Sequence, residues 1–302
     1  MDHFLSVTDV DRDGLLDLLD LADTLKRERA TARDDLAGRT VAMIFEKPST
    51  RTRVSFQVAI AELGGHPLTL SSAELQLGRG ETIADTAAVL SRYVHAIVVR
   101  TFGQDRVEGL AAGASVPVMN ALTDHEHPCQ ALADLQTIRE ARGRLEGLTL
   151  AYVGDGNNVA HSLLLAGSMA GMTVRVGHPP GYAPDEGVVE RARGLGGSVE
   201  IGEDPSAAVK GADVVYTDVW TSMGQEGQEE QRRALFEPFR VTEHLMAAAA
   251  ADAIFLHCLP AHRGEEVAAD VIDGPASRVF DQAENRLHTQ KALLVRLLGA
   301  RP

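Results

Sequence analysis

The sequence predicts an α/β protein of two similar-sized domains, each a parallel sheet flanked by helices, with a C-terminal helix returning to the first domain. Two observations carry this. The chain is 302 residues long, which at roughly 150 residues per domain gives two domains with sizeable cores. Short apolar runs rich in β-branched residues also alternate with longer helical segments through both halves. Such alternation implies parallel strands covered on both faces, with ligand sites at the carboxyl ends of the strands.

Taken in order, residues 13–29 place leucines at 15, 16, 18, 19, 21 and 25 mostly on one stripe, an opening amphipathic helix. Residues 40–45 read as a strand, followed by a polar loop and a helix over 54–63 that ends at Gly64 and Gly65. Further strands are predicted at 96–99, 148–153, 173–176, 213–216 and 253–256, with helical segments between them. A long helix over 128–142 stops at Gly143, so the domain boundary is placed within or just after it. The expected domains are therefore 1–143 and 144–285, with 286–302 as a terminal helix packing back on the first. The alanines at 247–251 read as helix surface, and no internal repeat is present.

Twenty-nine Lys and Arg against 43 Asp and Glu give a net charge of −14, the wrong sign for a general nucleic-acid or anionic-membrane binder. An anionic ligand then needs a local cationic pocket, which screening over roughly 8 Å allows. Cys129 and Cys258 form neither a Cys-x-x-Cys pair nor a zinc pattern, so a reducing compartment is expected. The first residues carry aspartates rather than a basic leader, and no apolar run reaches spanning length; the expected location is cytoplasmic.

Ser49-Thr50-Arg51-Thr52-Arg53 lies between a strand and a helix. Hydroxyls, guanidinium groups and the free N–H groups of a helix start make an anion site, and capping accounts for only one of the hydroxyls. Arg51 and Arg53, two apart on a helix, must diverge. Gly154-Asp155-Gly156 followed by Asn157-Asn158 resembles half a dinucleotide fingerprint, but Val159 holds the third glycine position and Gly177-His178-Pro179 offers no acid for a ribose. A turn presenting Asn side chains to a small molecule is the better reading. His125 and His127 lack a second metal-ligand pair, so no metal is expected; His127 before Pro128 suits a neutral histidine at a helix start. Asp218-Val219-Trp220 and His257-Cys258-Leu259-Pro260 each close a strand, and residues 221–233 form a polar stretch that is either a lid or a plain loop.

These pieces together resemble the aspartate/ornithine carbamoyltransferase family, and within it the ornithine branch, nearly end to end. The markers are Phe45-Glu46-Lys47-Pro48-Ser49-Thr50-Arg51-Thr52-Arg53, His127-Pro128-Cys129-Gln130, Gly154-Asp155-Gly156-Asn157-Asn158, Asp218-Val219-Trp220, Ser222-Met223-Gly224, His257-Cys258-Leu259-Pro260 and Glu284-Asn285-Arg286. The resemblance implies that Ser49, Thr50, Arg51 and Thr52 hold a phosphate. It implies that Arg100, His127 and Gln130 bind a carbamoyl group, and that Arg286 completes that pocket from the start of the last helix. Asn158, Asp218, Ser222 and Met223 would grip the α-amino and α-carboxylate ends of ornithine. Cys258 and the carbonyl of Leu259 would face the reacting centre, with Leu259–Pro260 cis. Arg53 has no ligand contact and is read as structural.

The implied reaction is attack of the ornithine δ-amine on carbamoyl phosphate, giving citrulline and phosphate, with arginine biosynthesis as the setting. Arg100, His127, Asp218 and Cys258 are the expected catalytic residues; Arg100, His127 and Thr52 would stabilise the oxyanion and Arg51 the leaving phosphate. No metal or organic cofactor is required, and alignment aided by domain closure supplies most of the catalysis. The resemblance also implies a trimer or multiple of trimers, with Gln76 of the loop over 71–81 reaching a neighbour's site. The alternatives are another acceptor amine such as putrescine, lysine or acylated ornithine, a nicotinamide-dependent dehydrogenase, and a non-catalytic binding protein.

Overall fold

The computed structural model describes residues 1–71, 80–221 and 229–299, leaving aside the side chains of Glu229 and Gln231. The chain divides into two compact units, Met1–Ala133 with Glu284–Pro302, and Asp134–Ala283.

In the first unit α1 (Arg12–Arg27) starts at Asp11, whose carboxylate accepts from the amide of Gly14 at 2.8 Å. Its buried face is Leu15, Leu18, Leu19, Ala22 and Leu25, close to the predicted stripe. Then follow β1 (Thr40–Phe45), α2 (Arg51–Glu62), β2 (His66–Ser71), α3 (Ile83–Leu90), β3 (Ala96–Arg100), α4 (Gln104–Gly113) and β4 (Val118–Leu122), and α5 (Pro128–Arg142) begins in this unit and continues into the second. The sheet is parallel in the order β2-β1-β3-β4. Ala42 and Ile44 of β1, Ile97 and Val99 of β3, and Val107 and Leu110 of α4 share one apolar cluster. The N-terminal segment runs along β4, Phe4 donating to the Val118 carbonyl and accepting, through its own carbonyl, from Asn120.

The second unit holds β5 (Thr149–Val153), α6 (Asn158–Met169), β6 (Thr173–Gly177), α7 (Glu186–Arg193), β7 (Ser198–Gly202), α8 (Pro205–Val209), β8 (Val214–Thr217), α9 (Glu229–Phe236), α10 (Glu243–Met246), β9 (Ile254–His257) and α11 (Ala269–Ile272). Its sheet is parallel in the order β7-β6-β5-β8-β9. Ala151, Val153, Val215 and Phe255 meet Val241, Val267 and Val271 in its core. The terminal helix α12 (Val279–Leu298) returns to the first unit, as expected: Ala292 packs with Leu18, Ala22 and Leu25, and Asn285 accepts from Lys26 Nζ at 2.8 Å.

In each sheet the strand order reverses at one place, between β1 and β3 in the first and between β5 and β8 in the second. Loops leaving adjacent strands there diverge and open a crevice at the strand ends. Ser49 to Thr52 and Arg100 follow or end β1 and β3, and Asn158 and Asp218 follow β5 and β8.

Three expectations are corrected. Helix α2 starts at Arg51, not 54, so Arg51, Thr52 and Arg53 lie in its first turn, with Ser49 and Thr50 just before it. Helix α12 starts at Val279, which places Arg286 two turns inside it rather than at its start. The alanines at 247–251 follow α10 as a turn, Ala248 accepting from Gly211 and Ala250 donating to the Ala212 carbonyl. Among the described residues no helix is long and apolar enough to cross a membrane.

Candidate active site

In the first unit, donors converge on the end of β1 and the start of α5. Thr50, the N-cap position of α2, makes no capping bond with its side chain; Ser49 Oγ instead accepts from the Thr52 amide at 3.3 Å. That leaves the Thr52 hydroxyl for the terminal helix: Arg286 donates through Nη2 to Thr52 Oγ1 at 2.7 Å and through Nη1 to Gln130 Oε1 at 3.1 Å. Thr52, Gln130 and Arg286 are all buried, as are Arg100 and His127. Arg51 carries a buried Nε with no hydrogen-bond partner among the described residues, whereas Arg53 is exposed and lies over the Phe45 ring at 5.2 Å. The expected divergence of the two arginines is therefore present.

Carboxylates next to this cluster have their own cations. Glu46 takes Arg106 and the Thr101 hydroxyl, and Asp124 takes Lys47, whose ammonium also sits 4.6 Å from the centre of the Phe102 ring. Burial, followed by the fields of Arg286, Arg100 and Arg51, holds His127 well below the ordinary imidazole range. At neutral pH it is an uncharged imidazole, suited to polarising a carbonyl oxygen by donating its N–H without carrying a positive charge. Cys129, beside it, has its thiol pushed up to about 12 by burial and donates to the Asn120 carbonyl at 3.3 Å, so it is an inert packing group.

In the second unit, a polar chain joins three strand ends. Asn157 caps α6, its Oδ1 accepting from the amides of Val159 and Ala160 at 2.9 and 3.2 Å. Its Nδ2 donates to Asp218 Oδ2 at 2.9 Å, and the thiol of Cys258 donates to Asp218 Oδ1 at 3.1 Å. Buried Asp218 is thus aimed by one neighbour from the β5 loop and one from the end of β9. Next to Cys258, the Leu259 amide donates to His257 Nδ1 at 2.9 Å, which puts the imidazole proton on Nε2, facing Glu266 Oε1 at 3.2 Å. The Leu259–Pro260 peptide is cis, in keeping with the resemblance, and Leu259 has φ 58°. Asn158 is the first residue of α6.

The dinucleotide alternative meets a physical obstacle. Asn157 occupies the amides at the start of α6 that a pyrophosphate would need, and a Cβ on Gly156 would lie 2.2 Å from the Pro184 nitrogen, so the turn is closed against a second chain segment. Donor atoms of Asp218, His257 and Cys258 fall within 4.8 Å of one another, but they are tied to one another or to Asn157, Glu266 and Leu259. Gln76, Ser222 and Met223 lie outside the described residues.

Three groups in this unit are not among the candidate residues that the sequence singles out. Asn157, beside the chosen Asn158, is the residue that holds Asp218; an Asn immediately before a helix was its signal. Glu266, fully buried against His257, gave no signal in a run of charged residues. Arg232, also buried, lay in the stretch read only as polar.

Two family models cover the chain in tandem: the aspartate/ornithine carbamoyltransferase carbamoyl-P binding domain over residues 2–140 and the Asp/Orn binding domain of the same family over 146–297. The chain is 63% identical to an ornithine carbamoyltransferase of Parafrankia sp. over 98% of its length and 96% of the relative's. It is 60% identical to one from Acidothermus cellulolyticus, over 99% and 97%. Among solved structures, ornithine carbamoyltransferase from Pyrococcus furiosus matches with a TM-score of 0.96 at 54% identity, covering 99% of this chain and 98% of that one. The likeness spans both units rather than one shared domain, and the chain belongs to the aspartate/ornithine carbamoyltransferase family.

Proposed function

We propose that this protein transfers the carbamoyl group of carbamoyl phosphate to the δ-amine of L-ornithine, giving L-citrulline and phosphate in arginine biosynthesis. The observation that carries the reading is the buried group of Thr52, Gln130, Arg286 and a neutral His127 among arginines, a set of donors matched to a phosphate and a carbamoyl oxygen. Support for ornithine comes from the Asp218–Cys258 pair, which offers a carboxylate to an ammonium and a thiol beside it. Relatives named ornithine carbamoyltransferase agree over nearly the whole chain.

In this reading Ser49, Thr50, Arg51 and Thr52 hold the phosphate; the orphaned Nε of Arg51 gains an anionic oxygen. Arg100, His127 and Gln130 take the carbamoyl oxygen, and Arg286 orients Thr52 and Gln130. The δ-amine nitrogen bonds to the carbamoyl carbon, the oxygen gains negative charge in the tetrahedral intermediate, the C–O bond breaks with its electron pair going to phosphate, and the departing phosphate takes the proton that the nitrogen loses. Fixed donors around the oxygen stabilise that charge without reorganising. Asp218, Asn158, Ser222 and Met223 bind the acceptor's α-amino and α-carboxylate groups, and Cys258 with the Leu259 carbonyl orients the δ-amine.

The first unit is the carbamoyl phosphate domain and the second the ornithine domain. The working assembly is a homotrimer or multiple of trimers in the cytoplasm, with Gln76 contributed to a neighbour; sedimentation at micromolar concentration showing only monomer would remove that part. An acceptor panel with carbamoyl phosphate tests the activity: ornithine gives citrulline faster than putrescine, lysine, acetylornithine or aspartate. Equal or greater turnover with putrescine overturns the ornithine assignment.

A further inference from the structure

Arg232, on α9, is 3% exposed, yet it is a full cation in the interior of the second unit. Its Nε donates to the Trp220 carbonyl at 2.6 Å and its Nη2 to the carboxylate of Asp155. The centre of the guanidinium lies 4.6 Å from the centre of the Tyr182 ring and 4.9 Å from that of Phe236, beside the corner where these two rings pack edge to face at 4.8 Å. Each partner belongs to a segment that shapes the acceptor end. Asp155 sits in the turn after β5, where its carbonyl accepts from the Asn157 amide at 2.7 Å, and Tyr182 accepts from Gly156 through its carbonyl at 2.9 Å. Trp220 stands two residues beyond Asp218, on the loop leaving β8. One arginine therefore joins the two loops that Asn157 and Asp218 also join.

Resting on ornithine being the acceptor, we infer that Arg232 is a positioning residue for the acceptor's binding: it neutralises Asp155 and fixes the Trp220 carbonyl, so that Asp218 is held in register for the incoming ammonium. The charges make the demand specific. Burial pushes the Asp155 carboxyl up, the neighbouring charge of Asp218 adds to this, and Arg232 opposes both. Without the arginine, a second carboxyl stands beside Asp218 as either a buried unpaired charge or a proton carrier, and each draws Asn157 or the ligand's ammonium away from Asp218. Arginine rather than lysine suits the position, because the forked group bridges a carbonyl and a carboxylate while its charge also lies within cation–π distance of two rings.

The experiment uses the full-length protein in three variants, Arg232→Gln, Arg232→Lys and the double variant Arg232→Gln/Asp155→Asn. Citrulline formation by the parent is measured first; if the parent does not carbamoylate ornithine, the functional reading fails and this inference with it. If it does, Arg232→Gln should raise the KM for ornithine about tenfold or more, as expected when one member of a buried charge pair is removed. The Kd for carbamoyl phosphate should stay within about twofold, since its residues lie on other elements. Removing the stranded carboxyl in the double variant should recover part of the KM, and Arg232→Lys should fall between parent and Arg232→Gln. An unchanged ornithine KM in folded Arg232→Gln or Arg232→Lys, or an equal loss for both substrates with no recovery in the double variant, overturns the inference and leaves Arg232 a packing residue.

Discussion

Arg286 and Thr52, 234 positions apart in the sequence, are joined by a 2.7 Å hydrogen bond, and the other arm of the same guanidinium reaches Gln130 at 3.1 Å. The terminal helix thereby sets the orientation of a hydroxyl on α2 and an amide on α5 at once. Arg286→Gln removes one cation and both anchored geometries. Charge-assisted bonds are worth about 1.5–3 kcal/mol each, so carbamoyl phosphate binding measured by calorimetry should weaken by roughly 10- to 150-fold per bond lost. Parent-like affinity would separate this helix from the phosphate site.

Arg51 and Arg53 differ in direction, not in chemistry, and substitution should report direction. Arg51→Ala should abolish measurable carbamoyl phosphate binding, since a bidentate contact to phosphate is among the strongest charge-assisted pairs. Arg53, exposed over the Phe45 ring, should leave affinity within about twofold and cost at most about 1 kcal/mol of stability as the alanine variant. Calorimetry and urea unfolding on both variants check this, and the reverse ranking would exchange their roles.

His127 supplies a stability prediction with a definite sign. Its native pKa is depressed, by burial first and then by three arginines. An unfolded histidine titrates near 6.5, so below that pH the unfolded chain binds a proton that native His127 refuses. The stability is therefore complete above about pH 6.5 and is lost as pH falls toward the native value. Between pH 7.5 and 5, ligand-free His127→Asn should lose less stability than the parent in urea unfolding, the contribution from buried His288, whose pKa is also lowered by burial, being common to both. Equal losses would mean that His127 takes a proton in the native state.

The fold was legible, and with it the strand ends where the candidate site residues lie, because parallel strands carry a plain signal. Arg100, Asp218 and Cys258 each terminate or follow a strand that is buried throughout and mostly apolar, and such strands stand out in a sequence. Strands β2, β4 and β7 did not, for reasons of composition and exposure. His66–Ser71 and Ser198–Gly202 are half-exposed edge strands carrying Pro67 and Glu200, and Val118–Leu122 is interrupted by Asn120, a buried amide that donates to the Leu5 carbonyl at 2.9 Å. The start of α12 was set late because the sequence around Arg286 matched a motif whose position inside the helix no local rule reveals. Arg232 and Glu266 remained hidden because charged residues are read as surface, and only tertiary contacts show that these two are enclosed.

A neutral His127 also shapes the pH dependence of turnover. The attacking amine, lysine-like with a reference pKa of about 10.4, must shed its proton, so the reactive fraction rises about tenfold per pH unit below that value. His127, held well below the ordinary imidazole range, adds no second inflection at the ordinary histidine value. The kcat/KM for ornithine should therefore climb steadily from pH 6 to 9 with a single limb. A flat profile would show that amine deprotonation does not control the rate, and a break near 6.5 that His127 titrates in the free enzyme.

The two cysteines should separate cleanly under alkylation. Thiolate is the reacting form, and accessibility decides whether reagent meets it. Cys129 is fully enclosed, its thiol pushed up to about 12 by burial, and its proton is engaged with the Asn120 carbonyl. Cys258 is partly accessible at the end of β9 and is bonded to Asp218, whose carboxylate it shares with the proposed acceptor ammonium. Iodoacetamide at pH 8 should therefore add to Cys258 alone in the native protein and to both cysteines in urea, as read by mass spectrometry of tryptic peptides. Ornithine together with phosphate should slow the native reaction, because the amino acid would cover the thiol. Modification of Cys129 first would place its sulfur at an open surface and contradict its burial, and labelling of Cys258 at an unchanged rate under saturating ligands would remove that thiol from the acceptor site.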